Sequence, residues 1–280
     1  MSTDQEFWGG SDIVYYCLVD KKRTNAYKNA INNAVNKGDV VADLGSGTGI
    51  FAHFAFRAGA KKVYVIEADK NLFNTLKESL EKKYGNRVVV INDDASKVRF
   101  SEKLDVVICE MIATGLIDEY QVPVMNHINK YLKRSSKIIP ERIQNIADLV
   151  YNNDKFYGFH LPIVRYEYFE QIDKKAANTD AFSKKIMYSE IDFRERNNLS
   201  IATNMNFTIN KSGTINGVRI SNETYFHNGK KLGGTLAYCM PLILPMKQTK
   251  VKMGEEFKLT LKYKICGGLG SLQYTLVKLT

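Results

Sequence analysis

The feature that most constrains how this chain can fold is an alternation, between residues 38 and 140, of short apolar runs, glycine turns and amphipathic stretches. The run DVVAD enters a glycine-rich turn, LGSGTG, and IFAHFAFRAGA follows with a helical pattern that should end at Gly59. KKVYVIEAD reads as a second strand. NLFNTLKESLEKKYG places Leu72, Leu76 and Leu80 at helical spacing and closes on Gly85, the residue type expected just past a helix end. RVVVIND and LDVVICE read as a third and a fourth strand. YQVPVMNHINKYLKR predicts a helix that tolerates Pro123 only in its first turn, and SKIIPER a fifth strand ending at Pro140. Strands alternating with helices build right-handed βαβ units on a parallel sheet, which binds ligands beyond the carboxyl ends of its strands. Glu110, directly after the fourth strand, falls on that ligand-facing edge.

Past Pro140 the texture changes. Segments such as KIMYSEIDF, LSIATNMNFTI, GVRISNETYF, GTLAYCMPLIL and EFKLTLKYKI are rich in β-branched and aromatic residues, with turns such as NKSGTING between them. They predict an antiparallel sandwich or barrel. The reading is therefore α/β followed by β: a helical lead-in over residues 1–36, a Rossmann-like doubly wound domain over 37–142, and a β-barrel-like domain over 143–280.

Composition narrows the class. No apolar stretch approaches the roughly 18 residues that a membrane span needs, and MSTDQEFWGG lacks the basic and apolar regions of a signal peptide. The expectation is a cytoplasmic protein with no membrane partner. Cys17, Cys109, Cys239 and Cys266 lie far apart without a CxxC pair, which argues against a zinc site or a disulfide scaffold. The net charge of +10 is spread over dispersed lysines, so a solvated surface is favoured over a nucleic-acid partner.

The turn DLGSGTG is G-x-G-x-G with an acid two residues ahead, not the G-x-G-x-x-G dinucleotide fingerprint. Gly45 and Gly47 let the backbone approach a ligand closely, and Asp43 suits a cationic ligand group. Glu67 ends the second strand, where a carboxylate can accept bonds from two ribose hydroxyls. Asp94 could accept from an adenine amine, and the Ala95 N–H could donate to a ring nitrogen. Amine, ribose and adenine together describe S-adenosylmethionine (SAM), and the arrangement looks like a class I SAM-dependent methyltransferase.

Within that superfamily, CEMIATGLIDE resembles the double-glutamate loop of the protein arginine N-methyltransferases, with Glu110 and Glu119 at the family's nine-residue spacing. VVADLGSGTGIFAHFAFRAGAKKVYVIEAD resembles the family's cofactor segment, and DKKRTNAY its Asp-x-x-Arg-Thr-x-x-Tyr motif, which implies that Arg23 holds the SAM carboxylate. YLKRSSKIIPERI and VKMGEEF resemble the segment joining the domains and a barrel segment. The resemblance implies methyl transfer to an arginine guanidinium, in a protein or peptide, with Glu110 and Glu119 as the clamp. A guanidinium is a planar cationic fork, and two carboxylates can hold it from different edges. Taken without their flanks, the same acids also fit a strand-ending acid and a helix-opening acid. The resemblance also implies a homodimer, formed through an arm that residues 161–173 would supply.

The chain departs from that pattern. Met111 and Ile112 replace the Trp and Met after the first glutamate. The Thr-His-Trp motif is missing, with Lys230, Lys231 and Leu232 in its place. Lys231 could then pair with Asp20 where the family uses histidine, and His227 is a second candidate. The tyrosine-rich N-terminal motif is weak, with Trp8, Tyr15 and Tyr16 nearby but out of pattern. Two rival readings stay open: an RNA or small-molecule methyltransferase, and a SAM-binding scaffold without activity.

Overall fold

The computed structural model describes residues 11–167 and 179–279; Trp8 and residues 168–173 of the expected arm lie outside them. Two helices lead in, α1 (Ser11–Val19) and α2 (Lys21–Ala34). Tyr27, Ile31 and Ala34 line the buried face of α2, and Asp20 caps it by accepting the Arg23 N–H at 3.0 Å.

Every residue of β1 (Val40–Leu44) is buried, as a strand covered on both faces requires. Then come α3 (Ile50–Ala58), β2 (Lys62–Ile66), α4 (Lys70–Tyr84), β3 (Val88–Ile91), β4 (Leu104–Cys109), α5 (Gln121–Ile128) and β5 (Leu132–Ile139). The helices stop where the sequence says they should: Gly59 closes α3 in the left-handed region and Gly85 closes α4. The strands form one parallel sheet in the order β3-β2-β1-β4-β5. The order reverses between β1 and β4, and a ligand crevice opens at such a switch point, beyond the strand ends.

The helix predicted over YQVPVMNHINKYLKR is shorter than its pattern. It ends at Ile128, and a 3₁₀ turn carries the chain to Leu132, which pairs with Leu104 on β4. Sheet pairing overrides helix propensity from that point.

The second domain begins with β6 (Arg142–Tyr151), followed by the short hairpin β7 (Lys155–Phe156) and β8 (Phe159–His160), then β9 (Arg165–Tyr166), β10 (Asp180–Ala181) and β11 (Ile186–Asp192). β12 (Ser200–Thr208), β13 (Gly213–Tyr225), β14 (Lys231–Leu232), β15 (Leu242–Val251), β16 (Glu256–Lys264) and β17 (Gln273–Lys278) complete it. The expected barrel does not close among the described residues. Instead a seven-stranded sheet, with β6, β13 and β15 at its centre, accompanies a separate three-stranded sheet β12-β16-β17. The segment GTLAYCMPL also departs from its reading as a strand, because β15 starts only at Leu242. The Thr235 hydroxyl and the Ala237 N–H are spent on the Asp20 carboxylate rather than on a neighbouring strand. No helix among the described residues is long and apolar enough to cross a membrane.

What the second domain does for the first is visible at residues 112–119. Gly115, at φ +69, has both backbone groups taken: its N–H donates to Asn222 Oδ1 at 2.9 Å and its C=O accepts from Tyr263 Oη at 2.8 Å. Thr114 donates to the Met240 carbonyl at 2.6 Å, and the Cys266 and Gly268 N–H groups donate to the carbonyls of Leu116 and Ile117 at 3.1 and 3.0 Å. The loop following β4 is thus shaped by its neighbour domain. Asn222 also donates to the Asn145 side chain at 3.0 Å, so Asn222→Ala strands two buried polar groups. Each costs about 1–3 kcal/mol. Urea unfolding should show a loss of at least about 2 kcal/mol, and a loss under half of that would mean the loop is held elsewhere.

Candidate functional site

A cavity of about 430 Å³ opens at the switch point. Its volume lies in the range of small-molecule and cofactor sites. The glycine turn after β1, the end of β2, residues 93–95 after β3 and the loop after β4 supply its floor. α1 covers one side with Ile13, Val14, Cys17 and Leu18, and Cys266 and Gly268 reach in from the second domain. Arg23, Gly45, Gly47, Glu67, Asp94, Ala95, Glu110 and Glu119 all line it. Asp43 does not. It lies behind the turn, 1% exposed, where it accepts the Ala52 N–H at 3.1 Å. Burial pushes its carboxyl up to about 8, with the nearby Glu67 adding to the effect.

The glycines differ in purpose. Gly45, Gly47 and Gly49 all hold positive φ, at +68°, +54° and +72°. A Cβ on Gly45 would meet Met111 Sδ at 2.9 Å, whereas one on Gly49 would meet Leu76 at 2.6 Å. Gly45 therefore preserves space between the turn and the loop after β4, and Gly49 lets α4 pack against the start of α3. Glu67 accepts the N–H groups of Gly47 at 2.8 Å and Asp69 at 2.9 Å, one on each carboxylate oxygen, which fixes its plane at the cavity wall. Asp94 is engaged from both sides: Oδ1 accepts from the N–H and hydroxyl of Ser96 at 2.8 and 2.7 Å, and Oδ2 pairs with Lys97 at 3.1 Å.

The two glutamates have different surroundings. Glu110 pairs with Nη2 of Arg23, and both side chains are under 10% exposed. Its backbone is braced by Gln121, the first residue of α5. Gln121 donates to the Cys109 carbonyl at 2.8 Å and accepts the Met111 N–H at 2.9 Å, so it straddles Glu110. Glu119 stands two residues before α5, outside the helix, with its carbonyl accepting from Cys266 Sγ at 2.8 Å. Desolvation raises its carboxyl to about 7, against the lowering effect of Arg23, and Asp118 pushes the same way as burial.

Arg23 joins these pieces. Nη1 donates to the Cys17 carbonyl at 3.1 Å, the guanidinium lies 5.4 Å from the Phe51 ring centre, and Nε is buried without a partner. A buried unpaired donor is costly, so a ligand carboxylate reaching Nε would complete its bonding. One further observation fits a SAM-sized cofactor: the free lone pairs of the fixed Glu67 carboxylate. Among the described residues no three His, Cys, Asp or Glu side chains group to hold a metal ion.

The departures named in the sequence resolve in an unexpected way. Lys231 pairs with Glu223 at 2.9 Å, not with Asp20. His227 lies 3.8 Å from Glu141, away from the cavity lining. Besides capping α2, Asp20 accepts from Thr235 and the Ala237 N–H. Tyr15 and Tyr16 are half exposed or more on α1. Sequence reasoning missed Gln121 and Asp118. Gln121 passed as an ordinary helix start, and its only signal was an amide beside two acids. Asp118 lines the cavity next to Glu119 and accepts from Tyr166 Oη at 2.7 Å.

Comparison with known proteins agrees with this fold. The family model for ribosomal protein L11 methyltransferase (PrmA) matches residues 22–161, half of the chain. An uncharacterized protein of Methanocaldococcus jannaschii is 34% identical over 264 residues, covering 94% of this chain and 95% of that one. Protein arginine N-methyltransferase 6 of Danio rerio is 33% identical over 137 residues, which span 47% of this chain and 39% of that protein. Among solved structures, the Trypanosoma brucei PRMT1 enzyme–prozyme heterotetrameric complex with AdoHcy shares the fold at a TM-score of 0.75 and 15% identity, over 95% of this chain and 97% of that one. The chain belongs to the methyltransferase family that the matching model describes, as a SAM-dependent methyltransferase resembling the protein arginine methyltransferases.

Proposed function

We propose that the chain transfers a methyl group to a guanidinium nitrogen of arginine in a protein or peptide. The observation that carries this reading is the convergence of Glu110 and Glu119 on one cavity at the sheet's switch point. The pairing of Glu110 with the Arg23 guanidinium supports it.

In this reading Arg23 binds the cofactor carboxylate through Nε, Glu67 binds the ribose, and Asp94 and the Ala95 N–H face the adenine. Gly45 and Gly47 keep the turn close to the cofactor, and Asp43 holds the turn itself through the start of α3. SAM, when bound, supplies an electrophilic methyl on its sulfonium. The protein's own work is positional and electrostatic. Glu110, fixed by Gln121 on either side, and Glu119, fixed by the second domain, grip the acceptor fork from different edges. Their charge draws the acceptor's positive charge toward them and leaves the remaining nitrogen freer to react. The guanidinium proton is lost to solvent or to a carboxylate once the nitrogen is alkylated.

Support for a homodimer comes from the β7–β8 hairpin and the loop after it. Tyr157 is 99% exposed and Phe159 70%, with Leu161 and Ile163 open beside them. Exposed apolar groups on a projecting hairpin favour a partner surface. Replacing Tyr157 and Phe159 by Ser should shift the mass measured by light scattering from dimer to monomer, and an unchanged mass would remove this hairpin from the interface.

The acceptor test uses isotopically labelled SAM with arginine-rich proteins, free arginine and RNA, followed by mass spectrometry of the label. Label is expected on arginine nitrogen. Glu110→Gln and Glu119→Gln should each lower kcat/KM by about 10- to 100-fold, the value of one charge-assisted bond. Label on RNA that survives both substitutions would contradict the reading. A pH profile adds a second check. Glu119 must be ionised to hold a cation, and its carboxyl titrates at about 7. The value of kcat/KM should therefore rise with pH through about 7, and Glu119→Gln should flatten that limb. A limb unchanged in the variant would assign it to another group.

A further inference from the structure

A second concavity, of about 520 Å³, lies outside the methyl-transfer cavity, between α2 and the turn joining β13 to β14. On α2 it is lined by Lys21, Lys22, Asn25 and Asn29, which the helical repeat places on the face opposite Tyr27 and Ile31. Lys230 and Lys231 supply the facing wall, and Phe226 and Leu232 the floor. No acidic residue lines it. Lys231 is neutralised by Glu223, whereas Lys21, Lys22 and Lys230 have no acidic partner among the described residues.

Two lysines in the first turn of α2 run against a local rule. The amino end of a helix carries partial positive charge and favours acids; Asp20 supplies one at the cap, but the first turn itself holds basic residues and no acid. Such violations concentrate where function requires them. The result is three lysines without acidic partners around one concavity, edged by exposed amides able to bond a peptide backbone. Nucleobase stacking needs an open aromatic face, and Phe226 is 3% exposed, packed edge-on against Tyr27. Carboxylate side chains on an extended peptide fit this combination better than a nucleic acid does.

We propose that this groove docks an acidic segment of the acceptor protein, so that the arginine to be methylated lies near a run of acidic residues. The inference rests on the arginine reading above and adds the character of the flanking sequence. Lys22 and Arg23 are neighbours on α2 but face the groove and the methyl-transfer cavity respectively. The helix between them is about 10–12 Å across. An extended chain covers about 3.3–3.6 Å per residue, so the acidic run should begin at least about three residues from the arginine.

The first arm of the test needs no catalysis. A fluorescein-labelled decapeptide containing four glutamates and a leucine, and no arginine, is titrated with the full-length protein and read by anisotropy. The triple variant Lys21→Glu, Lys22→Glu, Lys230→Glu, checked for an unchanged Tm, should bind at least about tenfold more weakly. The second arm methylates an arginine peptide with or without that acidic run. The triple variant should raise KM for the peptide with the run several-fold at unchanged kcat, and leave the peptide without it untouched. Equal binding by both proteins would overturn the proposal. So would a single-stranded RNA that displaces the decapeptide at lower concentration and loses its own binding in the triple variant. Weakened decapeptide binding with no arginine methylated in either protein would keep the groove as an acid-docking surface and count against the arginine reading instead.

Discussion

The ion pair between Arg23 and Glu110 is the contact on which the rest of the site depends. It ties the first turn of α2 to the end of β4, across the point where the sheet reverses its strand order. Two charged groups this deeply buried survive only if paired and bonded to fixed partners. Asp20 fixes the start of α2, Gln121 fixes the backbone on either side of Glu110, and the Cys17 carbonyl takes one more guanidinium proton. Within this cluster the Arg23 Nε–H is left buried without a partner. In the proposed reading this single arginine both mimics the acceptor, by pairing with Glu110, and offers the cofactor carboxylate a donor.

The second constraint is that the parallel sheet cannot shape the loop after β4 by itself. Gly115 needs a donor and an acceptor from outside, and Asn222 and Tyr263 of the second domain provide them. Cys266 and Gly268 complete the wall beside Glu119. Glu119 sits between the two domains with Asp118 beside it, and desolvation raises its carboxyl to about 7. Closing the second sheet system into a barrel is unnecessary for this task. What matters is that β13 and β16 present their side chains to one loop.

Much of this was legible in the sequence because parallel-sheet strands and glycine turns leave strong local signals. The strand ends that carry Glu67, Asp94 and Glu110 follow from apolar runs alone, and the helix stops at Gly59 and Gly85 from backbone preference. The rest depends on partners remote in sequence. Asp20 finds Thr235 and Ala237 more than 200 residues away, which neither motif nor periodicity announces. Asp43 reads as a ligand-facing acid, yet its carboxylate is turned into the start of α3. The segment after Gly233 has strand composition, but its donors are already committed to Asp20. Gln121 is invisible for the same reason: its value comes from the two backbone groups it bridges.

The most direct test of the central claim is isothermal titration calorimetry of an arginine peptide and its lysine counterpart, near pH 6.5, in the presence of S-adenosylhomocysteine. Each titration is run in two buffers of different ionisation enthalpy. If two carboxylates grip a guanidinium, the arginine peptide binds more tightly than the lysine peptide. Its binding also releases up to about three-quarters of a proton, as Glu119 ionises from a carboxyl at about 7, and Glu119→Gln abolishes that release. Equal affinity for the two peptides, with no proton release on binding, would contradict the account.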